Sequence, residues 1–285
     1  MIRFRLAHQT VAIDTTVPEI HDDLSRLTAS LAAEGAAAAD DLVYHVDADG
    51  GAYTLRCAES SWPGLSRGEV FAQVETHLSR RLMQTEARAM LHAAALARED
   101  QVYLFAGCSG CGKTTLATAL LKRGFLFLSD EYAPISLEDL RLHRGAPEGR
   151  EQAQMTIEPC SMPLKLREST VRRISPAPEI ELVEHGFFAR GEPVYYGVVD
   201  PRFLAPARRW RCGRIYFPWK RPGLKTEAHR LRPSVAVQQL IGLTLNSPLL
   251  GAQAFNLAAS LVETVPCFDL VVGDIDEACR VICDS

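Results

Sequence analysis

The chain has 285 residues, 47% of them hydrophobic and 23% charged, with a formal net charge of −4. That length supplies one large domain or two smaller ones with a sizeable core, and that charge excludes the global basic field of a general nucleic-acid or membrane-surface binder. No apolar stretch reaches the ~18 residues of a spanning helix. The polar start MIRFRLAHQTVAIDTT does not read as a secretory leader, so a cytoplasmic setting is expected.

Residues 1 to 60 read as a small α+β unit. Ile2 to Leu6 alternates like a strand. Ile20, Leu24, Leu27 and Leu31 keep helical spacing over residues 20–33. The alanine-rich run 32–41 is either the end of that helix or a loop. Leu42 to Val46 and Ala52 to Cys57 are strand-like and joined through Asp47 to Gly51, where Asp and Gly tolerate positive φ, so a hairpin is expected. The longest helical candidate spans Arg67 to Met90, with Val70, Val74, Leu78, Leu82 and Met83 on one face. Leu91 to Leu96 then reads as a strand, and Arg98 to Asp100 as a tight turn into the next strand, a hairpin rather than a βαβ unit. The first of these strands carries His92. A lone His among apolar residues is more often a satisfied core residue than a catalytic one.

The segment 101–131, QVYLFAGCSGCGKTTLATALLKRGFLFLSDE, organises the chain. Val102 to Phe105 reads as a buried strand and Thr115 to Arg123 as a helix. Between them Gly107, Cys108, Ser109, Gly110, Cys111, Gly112, Lys113 and Thr114 fit G-x-x-x-x-G-K-[ST], with Thr115 following. A glycine loop between strand and helix lets several backbone N–H groups converge on a phosphate at a helix N-terminus. Lys113 would neutralise the outer phosphates, and the Thr114 hydroxyl would ligate Mg²⁺. The alternative is a glycine-rich turn that binds nothing. Phe125 to Leu128 is a second apolar run, ending at Asp130 and Glu131. One helix after Lys113, these acids are expected on the adjacent strand, beside the phosphates and the metal.

The eight cysteines give no compact disulfide framework. Cys108 and Cys111 form a C-x-x-C inside the loop, without a second pair to complete a tetrahedral metal site. They read as small loop-filling residues, with a redox switch as the alternative. Residues 141–160 look like a mobile segment. Beyond them lie Lys165 and Arg167, the tyrosines Tyr195 and Tyr196, and a basic cluster of Arg202, Arg208, Arg209, Arg211, Arg214, Lys220 and Arg221. Trp210, Tyr216, Phe217 and Trp219 are interleaved with it. Such a mixture can bind nucleic acid. Here the strand-like alternation of Arg214 to Pro218 and the negative net charge favour phosphate or acidic-acceptor contacts instead. Ser234 to Leu245 and Ala252 to Thr264 read as helices, Pro266 to Val272 as a strand, and Asp274 to Ile282 as a closing helix.

His92, Lys113 and Asp130, with the loop GCSGCGKT and the segment LLKRGFLFLSDE, resemble the catalytic domain of the HPr kinase/phosphorylase family. In particular they resemble stand-alone HPr-kinase-related proteins of peptide biosynthetic clusters. The tail VPCFDLVVGDIDEA and the segment Pro163 to Glu168 are similar as well. The likeness spans residues 86–285. It departs from the family at Glu131, where the second acid is Asp, in lacking the family's glycine-rich signature after the acids, and over residues 1–85.

The resemblance implies an α/β fold, a P-loop kinase domain of the HPr kinase/PEP carboxykinase type with a mixed sheet over 86–285, preceded by a small α+β domain over 1–85. It implies ATP and Mg²⁺ as cofactors. The expected activity is transfer of the γ-phosphoryl to a hydroxyl, in the first place a serine, of a peptide, protein or small molecule. Asp130 would accept the proton, His92 would lie near the phosphoryl group, and Thr114, Glu131 and Asp130 would hold the metal. Lys165, Arg167, Arg209 and Arg214 would contact phosphate or acceptor. Neither nucleic acid nor membrane is an expected partner, and assembly with further copies of the chain stays open. A nucleotide-gated ATPase and a non-catalytic peptide-binding module remain as rivals.

Overall fold

The structure, a computed structural model, describes residues 1–7, 9–31, 42–58, 60–145, 154–174, 178–189 and 192–284. Contacts divide the chain into two units, Met1–Leu82 with Ser161–Arg202, and Met83–Cys160 with Phe203–Ser285. The architecture is mixed α/β, with sheets of five, eight and three strands among the described residues.

The first unit begins with β1 (Ile2–Leu6), β2 (Gln9–Thr15), α1 (Pro18–Thr28), β3 (Leu42–Asp49), β4 (Ala52–Cys57), β5 (Ser60–Leu65) and α2 (Arg67–Leu82). The strands form one sheet in sequence order, parallel between β2 and β3 and antiparallel elsewhere. At the start of α2, Glu69 Oε2 accepts from Ser66 N at 2.9 Å and from Ser66 Oγ at 2.7 Å, the reach-back half of a capping box.

The second unit opens with β6 (Arg88–Arg98), β7 (Gln101–Ala106), α3 (Lys113–Leu121), β8 (Leu126–Ser129), β9 (Tyr132–Ser136), α4 (Leu137–Gly145) and β10 (Thr156–Ile157). The chain then returns to the first unit for β11 (Leu164–Arg167), α5 (Glu168–Ile174), β12 (Ile180–Ala189) and β13 (Glu192–Val199), a three-stranded sheet in the order β11–β13–β12. It ends in the second unit with β14 (Trp210–Lys220), β15 (Glu227–Arg230), α6 (Pro233–Leu243), α7 (Ser247–Leu250), α8 (Ala252–Thr264), β16 (Cys267–Val272) and α9 (Ile275–Cys283).

The eight-stranded sheet runs β10–β9–β6–β7–β14–β16–β15, with β8 also paired to β6 and β10 closing back onto β14. β7, β14 and β16 are parallel neighbours. Ala93, Ala94, Ala95 and Ala97 of β6 are fully buried, as a strand covered on both faces requires. Leu104, Ala106, Ile215 and Phe217 share a core with Leu240, Leu257 and Leu261 of α6 and α8. On alternate positions Phe105, Tyr216 and Phe268 stack across the three parallel strands, with centroids 5.6 and 5.2 Å apart.

Several expectations are corrected. The helix expected to run to Met90 stops at Leu82, and the next strand starts at Arg88 instead of Leu91. The helical spacing ends at Leu82, Thr85 Oγ1 accepts from Ala87 N at 3.2 Å in a local turn, and Arg88 to His92 pair with β9. The first helix ends at Thr28, followed by a short 3₁₀ turn, Ala29–Leu31, and the run 32–41 lies outside the described residues. Within the segment expected to be mobile, 141–145 close α4 and 156–157 form β10, while 146–153 lie outside the described residues.

Residues 161–202 group with the first unit and interrupt the second. Their attachment is physical. Gly68 at the start of α2 lies against the Gly186 carbonyl of β12, Phe71 packs edge-on to Tyr196 at 5.0 Å, and Lys165 pairs with the buried Glu75 at 2.8 Å.

A Cβ at Gly68 would stand 1.7 Å from Gly186 O, whereas one at Gly242 in α6 would meet nothing within 4 Å. Gly68→Ala is expected to destabilise the protein by about 1–3 kcal/mol. Gly242→Ala is expected to be neutral or to stabilise it by roughly 0.5–1 kcal/mol. Urea denaturation of both variants checks this, and equal effects would contradict the close approach.

Candidate functional site

The hairpin of β6 and β7 builds one side of the site. Its two-residue turn places Glu99 and Asp100 at φ 51° and 63°, and the register runs from Arg98↔Gln101 to Ala93↔Ala106. His92 and Gly107 therefore lie side by side at its open end, where Gly107 N donates to His92 O at 3.2 Å. The loop then turns through Gly110 at φ 88° and Gly112 at φ 104°. Gly112 is the N-cap of α3 and offers no side chain to its first turn. A Cβ on Gly107 would meet Cys111 Sγ at 2.8 Å, so the thiol fills space that only a glycine leaves open. Burial raises the Cys111 pKa and Lys113 only partly offsets this, which opposes the thiolate that a redox switch needs.

Lys113 is the first residue of α3 and is 6% exposed. Its ammonium donates to Gly107 O at 2.6 Å and to Cys108 O at 3.2 Å, and it reaches His92 Nε2 at 3.2 Å. An ammonium only donates, so Nε2 accepts and the imidazole proton sits on Nδ1. Burial and then the Lys113 charge hold the His92 pKa below its ordinary value, while Glu131 pulls it the other way. His92 is thus a partner of Lys113 rather than an isolated core residue.

The acids arrive from the other side. Tyr132 N donates to Ser129 Oγ at 3.1 Å, closing a bend that presents Asp130 and Glu131 at the end of β8. Asp130 is 7% exposed, and its Oδ2 accepts from Thr114 Oγ1 at 2.7 Å. Glu131 is half-buried. One expectation is corrected here. β8 is not adjacent to β7, because the hairpin partner β6 lies between them and pairs with both. The acid still reaches the loop, because the crossover through α3 spans only that one intervening strand.

Of the expected site residues, His92, the loop 107–115, Asp130 and Glu131 come together. Arg209 and Arg214, in the same unit, do not join them. Arg209 immediately precedes β14, whose Arg211 is paired with Gln101, the first residue of β7. The loop leaves β7 at its other end, roughly 16 Å away at the usual strand rise. Arg209 instead faces Glu138, Asp139 and Glu158 at 3.2, 3.5 and 3.6 Å. Arg214 sits mid-strand, donating to Tyr103 Oη at 3.3 Å. Lys165 and Arg167 belong to the first unit, where they pair with Glu75 and Glu192.

Sequence reasoning missed Asn246. It is 3% exposed, accepts from Met90 N at 3.0 Å, and donates to Thr85 O at 3.0 Å and Arg88 O at 2.9 Å, fixing the start of the strand that carries His92. A single Asn between two helices gives no local signal of such a long-range role. Among the described residues, no cluster of three or more His, Cys, Asp or Glu side chains is arranged to hold a metal ion, and no helix is long and apolar enough to cross a membrane.

No family model matches the chain, and no curated protein matches it. Among solved structures it is similar to the Hpr(Ser) kinase/phosphatase from Coxiella burnetii at 10% identity and a TM-score of 0.32, over 68% of this chain and 94% of that one. A likeness at that score carries no argument for fold or activity.

The depressed His92 pKa sets the sign of a pH effect. Below the ordinary histidine value of 6.5 the unfolded chain binds this proton and the folded chain resists it, so folding stability falls as pH falls through that window. The melting temperature of the wild type should therefore drop more between pH 7.5 and 5.5 than that of His92→Gln. Parallel pH profiles would contradict the burial of His92 beside Lys113.

Proposed function

We propose that the chain is an ATP-dependent phosphotransferase that moves the γ-phosphoryl group of ATP to a hydroxyl, in the first place a serine, of a peptide, protein or small molecule. The observation that carries this is the contact of Thr114 with Asp130 at 2.7 Å beside the buried Lys113. It joins the end of a glycine loop, a cation and a carboxylate at one helix N-terminus. Lys113 is bonded to two carbonyls and an imidazole and, among the described residues, to no carboxylate. A buried ammonium whose direct partners are all neutral favours an anion beside it. The first-turn N–H groups of α3 lack a side-chain cap and favour the same.

The donor set suits Mg²⁺. The Thr114 hydroxyl and the Asp130 carboxylate are hard oxygen ligands side by side, with Glu131 next in the chain, and Mg²⁺ takes its other ligands from water and phosphates. When bound, the ion would neutralise charge on the β- and γ-phosphates. The chain supplies the rest. Amides of residues 107 to 115 hold the phosphates, and Lys113 stabilises the charge that builds during transfer. Asp130 accepts the proton of the attacking hydroxyl. His92, protonated on Nδ1, keeps Lys113 oriented through Nε2.

ADP release from Mg-ATP, with free serine, serine-containing peptides or HPr as acceptor, tests this. Asp130→Asn should keep ATP affinity within a few-fold and lose about 10²- to 10⁴-fold of the acceptor-dependent rate. Normal transfer by that variant would remove Asp130 as the base. Equal release without any acceptor would make the protein an ATPase instead.

A further inference from the structure

We infer that Trp219 is the stacking platform for the nucleobase of the bound nucleotide, an assignment that rests on the glycine loop binding its phosphates. β14 is the parallel neighbour of β7, on the side away from β6 and the acids. Its register carries Tyr216 opposite Phe105, so Pro218 falls beside the start of the loop, and a Cβ on Gly107 would lie 3.9 Å from Pro218 Cδ. Trp219 is the next residue. It therefore stands at the strand end that flanks the loop, on the opposite flank from Asp130. A nucleotide with its terminal phosphate toward Asp130 extends its base toward this flank.

The indole is 48% exposed in a strand whose preceding four residues, Ile215 to Pro218, are buried. Arg221 lies over the ring with its guanidinium carbon 5.5 Å from the centroid. An indole with aromatic surface left in solvent and a cation beside it is suited to stacking a flat, electron-rich heterocycle.

The platform is held rigidly. Trp219 is paired with Val271 of β16, and Arg221 N donates to Val272 O at 2.9 Å. The turn after it is tied down through Thr226 Oγ1, which accepts from Gly273 N at 3.2 Å and from Asp274 N at 3.1 Å. The backbone of Gly273 is pressed against Leu224 O, where a Cβ would come within 1.7 Å. The turn bearing Arg221 is thus locked to the junction of β16 and α9, so the ring is presented by fixed backbone.

The test is calorimetric titration of the full chain with Mg-ATP and with Mg-tripolyphosphate, which has the phosphates and no base. The wild type should bind ATP more tightly. Trp219→Ala should weaken ATP by about 5- to 100-fold and leave tripolyphosphate unchanged, while Trp219→Phe retains most of the ATP affinity. Unchanged tripolyphosphate binding also shows that the variant folds. If Trp219→Ala binds both ligands as the wild type does, the base lies elsewhere and the inference is overturned. If the wild type binds neither ligand, the loop assignment itself fails and takes this one with it.

Discussion

A buried ammonium must be satisfied, and the way Lys113 is satisfied fixes the rest of the site. Its three donors go to the carbonyls of Gly107 and Cys108 and to His92 Nε2, so it ties the loop to itself and to the neighbouring strand. Leaving such a group without partners in a low-dielectric interior is costly, which makes the geometry around it demanding. The β6–β7 hairpin must deliver His92 opposite Gly107. β6 must then be held at both ends, by its turn at Glu99 and Asp100 and by Asn246 where it begins. The alanines of β6 let helices and strands close over it, and that closeness brings the end of β8, with Asp130, within reach of Thr114.

The two ends of the large sheet have different chemistry. At the ends of β7 and β14 lie the loop, His92, the acids and Trp219. At their starts lie Arg209 with its three acidic neighbours, Arg211 and the Arg208 guanidinium stacked 3.8 Å over Trp210. A parallel strand separates such groups by its whole length, so a run of arginines in the sequence divides between structural ion pairs and positions near the loop. Partly exposed ion pairs of this kind contribute little to stability individually, and they hold Arg209 at the end of the strands away from the loop.

The loop and its flanking strand and helix were legible because glycine spacing, Lys113 and the apolar runs are local signals. The hairpin turn was legible for the same reason, even though two non-glycine residues take its positive φ values. Long-range pairings were not. β2, β5, β9, β10, β11, β12, β13 and β15 were not read, because a strand depends on partners distant in sequence more than on its own local pattern. The insertion of residues 161–202 into the first unit rests on the contacts of Gly68, Phe71 and Glu75, none of which marks a boundary in sequence. His92 was ambiguous as a lone residue and was singled out only through the resemblance; the structure sets it 3.2 Å from Lys113.

The central claim, that the glycine loop holds the phosphates of a nucleotide, is tested most directly by a crystal structure with Mg²⁺ and a non-hydrolysable ATP analogue. The account predicts phosphate oxygens within about 3 Å of the N–H groups of residues 110–114. It also predicts Lys113 Nζ turned from Gly107 O toward the outer phosphates, and Thr114 and Asp130 about the metal. Phosphates bound away from this loop, or Lys113 unmoved with the nucleotide elsewhere, would contradict it.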